Sequence, residues 1–311
     1  MMNIGIVVPC CNEKDVLPET VSRLGALLTR LTESGLISSE SSVWLVDDGS
    51  TDTTWECVCA AARQDERFHG IRLSRNCGHQ NALLAGLESA KGDAVVTIDA
   101  DLQDDLSVIE KMVGLCIGGS DIVYGVRASR ATDTRFKRMS AELYYALLAR
   151  MGVNVVFNHA DYRLMSRRAL DALHEYSEVN LFLRGIIPQL GFTTTTVPYD
   201  RAERFAGESK YPMRKMLSLA LNGITSFSIM PLRLIAMLGL LVCLFSVVMV
   251  AWVLYGSLAL HDVVPGWASS VIPIYFLGGV QLLSIGVIGE YVGKIYLETK
   301  RRPRFLVQEE V

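Results

Sequence analysis

AVVTIDADLQDD, residues 94–105, begins as an apolar, β-branched run and ends in four aspartates and a glutamine. An apolar run of that length bounded by turn residues reads as a buried strand. Asp99 and Asp101 alternate just past its end and Gln103 follows. Hard oxygen ligands in this pattern suit Mg²⁺ or Mn²⁺ and leave coordination positions for diphosphate oxygens and water. Surface turns also produce an alternating aspartate pair, so its weight depends on what surrounds it.

Outward from this stretch, similar apolar runs recur at 4–9, 43–47, 69–73 and 121–125, with helix-like patterns at 16–34, 53–64, 80–90, 107–118 and 135–151. Strands alternating with helices predict an α/β domain whose sheet is mostly parallel and covered on both faces. Ligands of such sheets bind beyond the carboxyl ends of the strands. Those ends are polar here: Pro9-Cys10-Cys11-Asn12-Glu13 after the first run, and Asp47-Asp48-Gly49-Ser50-Thr51-Asp52 after the second. The latter also suits a turn and a helix cap, with Ser50 or Asp52 as the capping residue. A carboxylate at that place is able to accept the N3 proton of uracil, which cytosine lacks.

The chain has 311 residues, half of them hydrophobic, and a formal net charge of −3. That charge gives no footprint for nucleic acid. Its seven cysteines are odd in number and lack zinc-ligand spacing, as expected of reduced thiols in the cytoplasm. No G-x-G-x-x-G, Walker loop, nucleophile elbow or H-E-x-x-H is present, which removes the usual support for several enzyme classes.

Residues 234–260 and 263–289 contain no charged side chain, and each run exceeds the ~20 apolar residues of a membrane-spanning helix. Arg214, Lys215 and Arg233 precede the first run, and Lys294, Lys300, Arg301, Arg302 and Arg304 follow the second. Lys and Arg on those flanks, with none in the link, predict two spans with both chain ends in the cytoplasm. The first residues lack a signal-type segment, so export is not expected. Before the first span, Met213, Met216, Leu217, Ala220, Leu221, Ile224 and Phe227 recur at helical spacing, predicting an amphipathic helix at the membrane interface. The expected plan is a catalytic domain at 1–210, a juxtamembrane helix at 211–231, two transmembrane helices within 232–298 and a basic cytoplasmic tail at 299–311.

The ordered series VVPCCNE, VDDGSTD, SRNCGHQNALLAGLESAKGDAVVTIDADLQDD, VYGVR, DYRLMSRRAL, NLFLRGI, RAERFAGESKY and FLGGVQLLSIGVIGEYVGKIYLETKRRP resembles glycosyltransferase family 2. Within it the series is most similar to polyprenyl-phosphate glycosyltransferases of the bactoprenol glucosyltransferase kind, and more distantly to dolichyl-phosphate mannose synthases. The resemblance covers nearly the whole chain. It implies a GT-A nucleotide-diphospho-sugar fold and inverting transfer of a sugar, glucose first, from a UDP-sugar to undecaprenyl phosphate at the bacterial inner membrane. Cell-surface glycans such as O-antigen would be the destination. UDP-N-acetylglucosamine as donor and a processive polysaccharide synthase remain alternatives, though no Q/R-x-x-R-W run is present. A transporter subunit with a regulatory domain is the rival from another class.

The resemblance also implies roles. Pro9, Glu13, Asp47 and Asp48 would line the nucleotide pocket. Asp99, Asp101 and Gln103 would surround the metal and the donor diphosphate. Arg127, with Lys137 or Arg138, would receive the acceptor phosphate. Asp161 would stand near the reacting centre, as a base or as a group that orients an arginine or the sugar; pairing with Arg163 or Arg167 is its purely structural reading. Arg204, Ser209 and Lys210 would belong to a loop closing on the diphosphate. A homo-oligomer is implied as well.

Overall fold

The computed structural model describes residues 1–127, 159–178, 183–200, 230–255 and 267–311. Two compact units emerge, one of residues 1–216 together with 302–311, the other of residues 217–301.

In the first unit, β1 (Ile4–Cys10), α1 (Leu17–Glu33), β2 (Ser42–Asp47), α2 (Thr54–Gln64), β3 (Phe68–Leu73), α3 (His79–Ser89), β4 (Ala94–Thr97), α4 (Val108–Ile117) and β5 (Ile122–Arg127) alternate as the sequence predicts. They are followed by β6 (His159–Ser166), α5 (Arg167–His174), α6 (Leu183–Gln189), β7 (Thr194–Tyr199) and β8 (Val307–Glu310). The sheet order is β7-β5-β6-β4-β1-β2-β3-β8. β4, β1, β2 and β3 run parallel, whereas β6 is antiparallel to both β4 and β5. The chain moves outward from β1 through β2 to β3, then returns to place β4 on the other side of β1, which opens the crevice typical of a switch point.

Side-chain alternation along the strands sorts the two faces. Ile4, Ile6 and Val8 of β1, Val43 and Leu45 of β2 and Val96 of β4 pack with Leu24, Leu28 and Leu31 of α1, Trp55 and Val58 of α2 and Ile109 and Met112 of α4. The alternate residues Val7 and Val46 meet α3 so closely that a Cβ on Gly86 would lie 2.3 Å from Val7. Leucines at turn spacing on α1 therefore form its buried face, and Pro18 at its start needs no amide partner. The N-cap of α2 is Thr53, without a side-chain cap, rather than Ser50 or Asp52; Asp52, one residue earlier, accepts the Thr54 N–H at 3.0 Å, and Ser50 Oγ accepts the Asn12 N–H.

The expected tail at 299–311 is corrected in part. Val307–Glu310 is a strand of the first unit's sheet, antiparallel to β3, with Ile71 opposite Glu310 and Arg72 opposite Glu309. Gly70 and Val311 exchange N–H···O bonds at 2.8 and 2.9 Å, and Trp55 Nε1 donates to Glu309 at 3.1 Å. Its sequence carries charge on an exposed strand, and only the open edge of β3 reveals its conformation.

The second unit contains α7 (Met230–Tyr255) and α8 (Trp267–Lys300). Among the described residues one helix, Phe276–Lys300, is long and apolar enough to cross a membrane, with mean hydropathy 1.4 and none of its most apolar stretch buried. Leu234, Met237, Leu240 and Phe245 of α7 are likewise exposed.

Candidate active site

The carboxyl edge of the sheet gathers the acidic strand ends. β1 stops at Cys10, β2 at Asp47 and β4 at Thr97, and β6, running the other way, begins at this same edge. Thr97 Oγ1 donates to the Asp161 carbonyl at 2.5 Å and so locks the start of β6 beside the loop that carries Asp99.

Asp47 is fully buried, and its Oδ1 accepts the Ser50 N–H at 3.1 Å. Its Oδ2 is buried with no hydrogen-bond partner, 3.6 Å from Arg72 Nε. A carboxylate oxygen in that state is suited to one further donor. Asp48 accepts the amides of Cys77 and Gly78 at 2.7 and 2.9 Å; burial pushes its carboxyl up despite these bonds. Between Asp48 and Ser50 only glycine fits: Gly49 has φ 62°, and a Cβ there would lie 2.5 Å from the backbone of Arg75 and Asn76. The loop after β1 is tied to the same place. Asn12 (φ 56°) accepts the Thr51 N–H at 2.9 Å and gives its own N–H to Ser50 Oγ at 2.9 Å, while the Glu13 N–H reaches Thr54 Oγ1 at 2.9 Å. Pro9 lies opposite Val46 in the β1–β2 ladder. Burial raises the thiols of Cys10 and Cys11, which makes both poor nucleophiles.

In the acidic loop, Leu102 holds φ 57° while buried, a conformation that residues other than glycine seldom adopt. Asp101, itself buried, accepts the Gln103 N–H at 3.2 Å. Asp99 Oδ1 is buried without a hydrogen bond, 3.5 Å from His79 Nε2. Burial pushes the Asp99 carboxyl up, as do Asp161 and Asp101, against the pull of His79. Among the described residues no three His, Cys, Asp or Glu form a ready metal cage. Two hard carboxylates, one with an orphaned buried oxygen, nevertheless fit a divalent cation whose remaining positions are filled by substrate and water.

Asp161 is the centre of the charge network. Arg163 Nη2 donates to its Oδ1 at 2.5 Å, and Arg184 forks onto both oxygens, Nε at 3.2 Å and Nη2 at 2.8 Å. His79 Nε2 stands 3.4 Å from Oδ2. Burial alone would raise this carboxyl, but Arg184, His79 and Arg163 hold it well below the usual carboxylate range. Burial likewise works against a charged His79, and Asp161 with Asp99 outweighs it, so the imidazole is pushed up. Arg163 is fully enclosed, with Nε and Nη1 unpaired, and burial lowers it. The structural reading of Asp161 as an arginine partner is therefore realised with Arg163. Arg167 instead donates to the Gly92 and Ala90 carbonyls at 2.9 Å each.

Arg127 ends β5 opposite Tyr199 of β7, and its Nε is buried without a partner. Tyr199 donates its hydroxyl to Asp104 at 2.5 Å. Burial pushes Asp104 up to about 6, and the Tyr199 hydrogen bond and Arg127 oppose it. Lys137, Arg138, Arg204, Ser209 and Lys210, with the helices expected at 135–151 and 211–231, lie outside the described residues.

Sequence reasoning assigned no role to His79, Arg184, Asp104 or Tyr199. His79 and Arg184 stood in plain sight within SRNCGHQNALLAGL and NLFLRGI. Nothing in their spacing says that they converge on Asp161, from which they stand far off in sequence.

An open, mostly parallel sheet with paired carboxylates beyond its strand ends defines a GT-A type sugar-transferase domain. The solved structure of mannosyl-3-phosphoglycerate synthase from Rubrobacter xylanophilus shares this fold at a TM-score of 0.50 and 15% identity, over 71% of each chain. Residues 5–173 match the model of Glycosyl transferase family 2, and the chain belongs to that family. It is 49% identical to the glycosyltransferase YkoT of Bacillus subtilis (strain 168), over 98% of this chain and 90% of that one. It is 40% identical to the bactoprenol glucosyl transferase of Shigella phage SfV, over 99% of both. The protein is a glycosyltransferase.

Proposed function

We propose that the enzyme transfers a sugar, glucose in the first instance, from a UDP-sugar to undecaprenyl phosphate with inversion, at the cytoplasmic face of a bacterial membrane, for use in cell-surface glycans such as O-antigen. The observation that carries this reading is the 40% identity to a bactoprenol glucosyl transferase over 99% of both chains, which takes in the apolar helices and β8 as well as the catalytic sheet.

In this reading the free, buried Oδ2 of Asp47 receives the uracil imide proton, with Pro9, Glu13 and Asp48 around the nucleotide. Asp99 and Asp101, with Gln103 beside them, would hold Mg²⁺ or Mn²⁺. The ion, when bound, supplies positive charge to the departing diphosphate. Arg204, Ser209 and Lys210 would close over the same group and exclude water. A phosphate monoester is mostly dianionic at neutral pH, its second pKa being ~6 by analogy with phosphoserine, so the attacking oxygen needs no base. Asp161, held ionised by two arginines, accordingly orients Arg184 and leaves proton removal to no residue. Arg127, with Lys137 or Arg138, receives the acceptor phosphate through charge-assisted hydrogen bonds.

The connectivity supports a membrane hairpin. Residues 1–216 and 302–311 form one compact unit, so a chain that crosses a bilayer between them crosses an even number of times. α8 supplies one crossing and α7, whose residues 234–255 carry no charge, the other, with the catalytic unit and both ends on the side rich in Lys and Arg. Self-association through these helices belongs to the same reading.

The reading is tested by offering the detergent-solubilised enzyme UDP-glucose, UDP-N-acetylglucosamine and UDP-galactose with undecaprenyl phosphate and weighing the lipid product. A hexose adduct from UDP-glucose is expected; long saccharide chains, or no lipid adduct from any donor, would overturn it. Arg127→Ala should raise the KM for the lipid phosphate by about tenfold, the loss of one charge-assisted bond, while the Kd for UDP stays unchanged. Equal weakening of both would assign Arg127 to the donor instead.

A further inference from the structure

The segment 76–81 is fixed on every side. Gly78, at φ 91°, gives its N–H to Asp48 together with that of Cys77, and Asn81 Nδ2 returns to the Cys77 carbonyl at 2.8 Å. Gln80 Oε1 accepts the Leu183 N–H at 2.8 Å, tying the segment to α6, which carries Arg184. His79 sits in the middle of this frame, its Nε2 3.5 Å from Asp99 Oδ1 and 3.4 Å from Asp161 Oδ2. The two carboxylates differ in what else they have. Asp161 is already gripped by Arg163 and Arg184, whereas Asp99 Oδ1 makes no hydrogen bond at all. The imidazole Nε2 thus stands within reach of both carboxylates, one gripped by two arginines and the other with an unbonded buried oxygen.

We propose that His79 is a positioning residue that holds the Asp99 carboxylate in the orientation from which it meets a divalent cation, using Asp161 as its fixed point. The proposal rests on the reading of the acidic loop as a cation site. Side chains that orient a metal-binding carboxylate are worth roughly 10–100-fold in metal affinity, because an unrestrained carboxylate must be ordered when the ion arrives. The same frame joins the cation site to the nucleotide side, since the amides preceding His79 are those that Asp48 accepts.

The test is a Mn²⁺ titration of the full-length enzyme with saturating UDP, following the free-ion electron paramagnetic resonance signal. His79→Ala should weaken Mn²⁺ binding by about tenfold, at the lower end of that range. His79→Gln, which retains an N–H donor, should recover to within roughly threefold of wild type by the same reasoning. UDP affinity without metal should be the same in all three proteins, which a general disturbance of the fold would not leave intact. Equal Mn²⁺ affinity in wild type and His79→Ala would overturn the role of His79 while leaving the cation site standing. His79→Gln as weak as His79→Ala would also overturn it. Failure of the wild type to bind Mn²⁺ in the presence of UDP would remove the cation site itself, and the proposal with it.

Discussion

Asp161→Ala is expected to destabilise the catalytic unit by about 3–5 kcal/mol, the cost of leaving a buried charge without its partner. Arg163 is 1% exposed, and its Nη2 has Asp161 as acceptor while Nε and Nη1 have none, so removing the carboxylate strands a whole guanidinium in the interior. Arg184, partly exposed, loses its fork but is able to turn to water. Asp161→Asn should fare little better, because its amide presents an N–H toward one arginine. For a unit of this size the loss corresponds to a fall in Tm of roughly 10 °C, read by thermal unfolding of the solubilised protein. The sign with pH follows from the depressed carboxyl. The stabilisation is complete above the unfolded-state value of ~3.9 and is lost as pH falls through the lower folded value, so wild type and variant should converge only in strong acid. Were Asp161 instead a proton acceptor with no structural duty, Asp161→Asn would melt with wild type and lose only turnover; that result would refute the assignment.

Ending the chain at Arg301 should also cost about 3–5 kcal/mol. The lost bonds include two between Gly70 and Val311, the Leu306 carbonyl's bond from Ser74 at 2.9 Å, the Trp55–Glu309 bond, and that from Arg304 to the Tyr176 carbonyl at 2.5 Å. Bonds of this kind contribute about 0.5–1.5 kcal/mol each. The open edge of β3 would in addition invite association between molecules. A point substitution strains the same edge without shortening the chain, pressing on α2 as well as on β8. A Cβ on Gly70 would lie 2.4 Å from Val58 and 2.8 Å from Val311, so Gly70→Val should loosen β8 and admit protease to residues 302–311. Unchanged melting and cleavage in both variants would mean that the last strand is dispensable.

The five expected strands of the first 127 residues, and the four helices between them, were legible because each carries its own period: apolar runs for strands buried on both faces, leucines at turn spacing for α1. The acidic strand ends were legible for a topological reason, since a parallel sheet dictates where its carboxyl edge lies. What escaped was whatever depends on a partner distant in sequence. Arg184 meets Asp161 across a strand and a helix, and His79 reaches it from the start of α3. β8 has the composition of a soluble tail, and its conformation is imposed by the unpaired edge it covers. Asp161 could be read as an arginine partner, yet it is the burial of Arg163 that gives this pairing its energetic weight.

The position of β8 sets an order of manufacture. During synthesis the ribosome delivers the first 127 residues, then both long apolar helices, and only afterwards the strand that pairs with β3 some 230 residues behind. For that interval the nascent domain carries a raw edge, and contacts of such span form slowly. Correct maturation then calls for either a guardian on the growing polypeptide or a delay in final folding until translation ends.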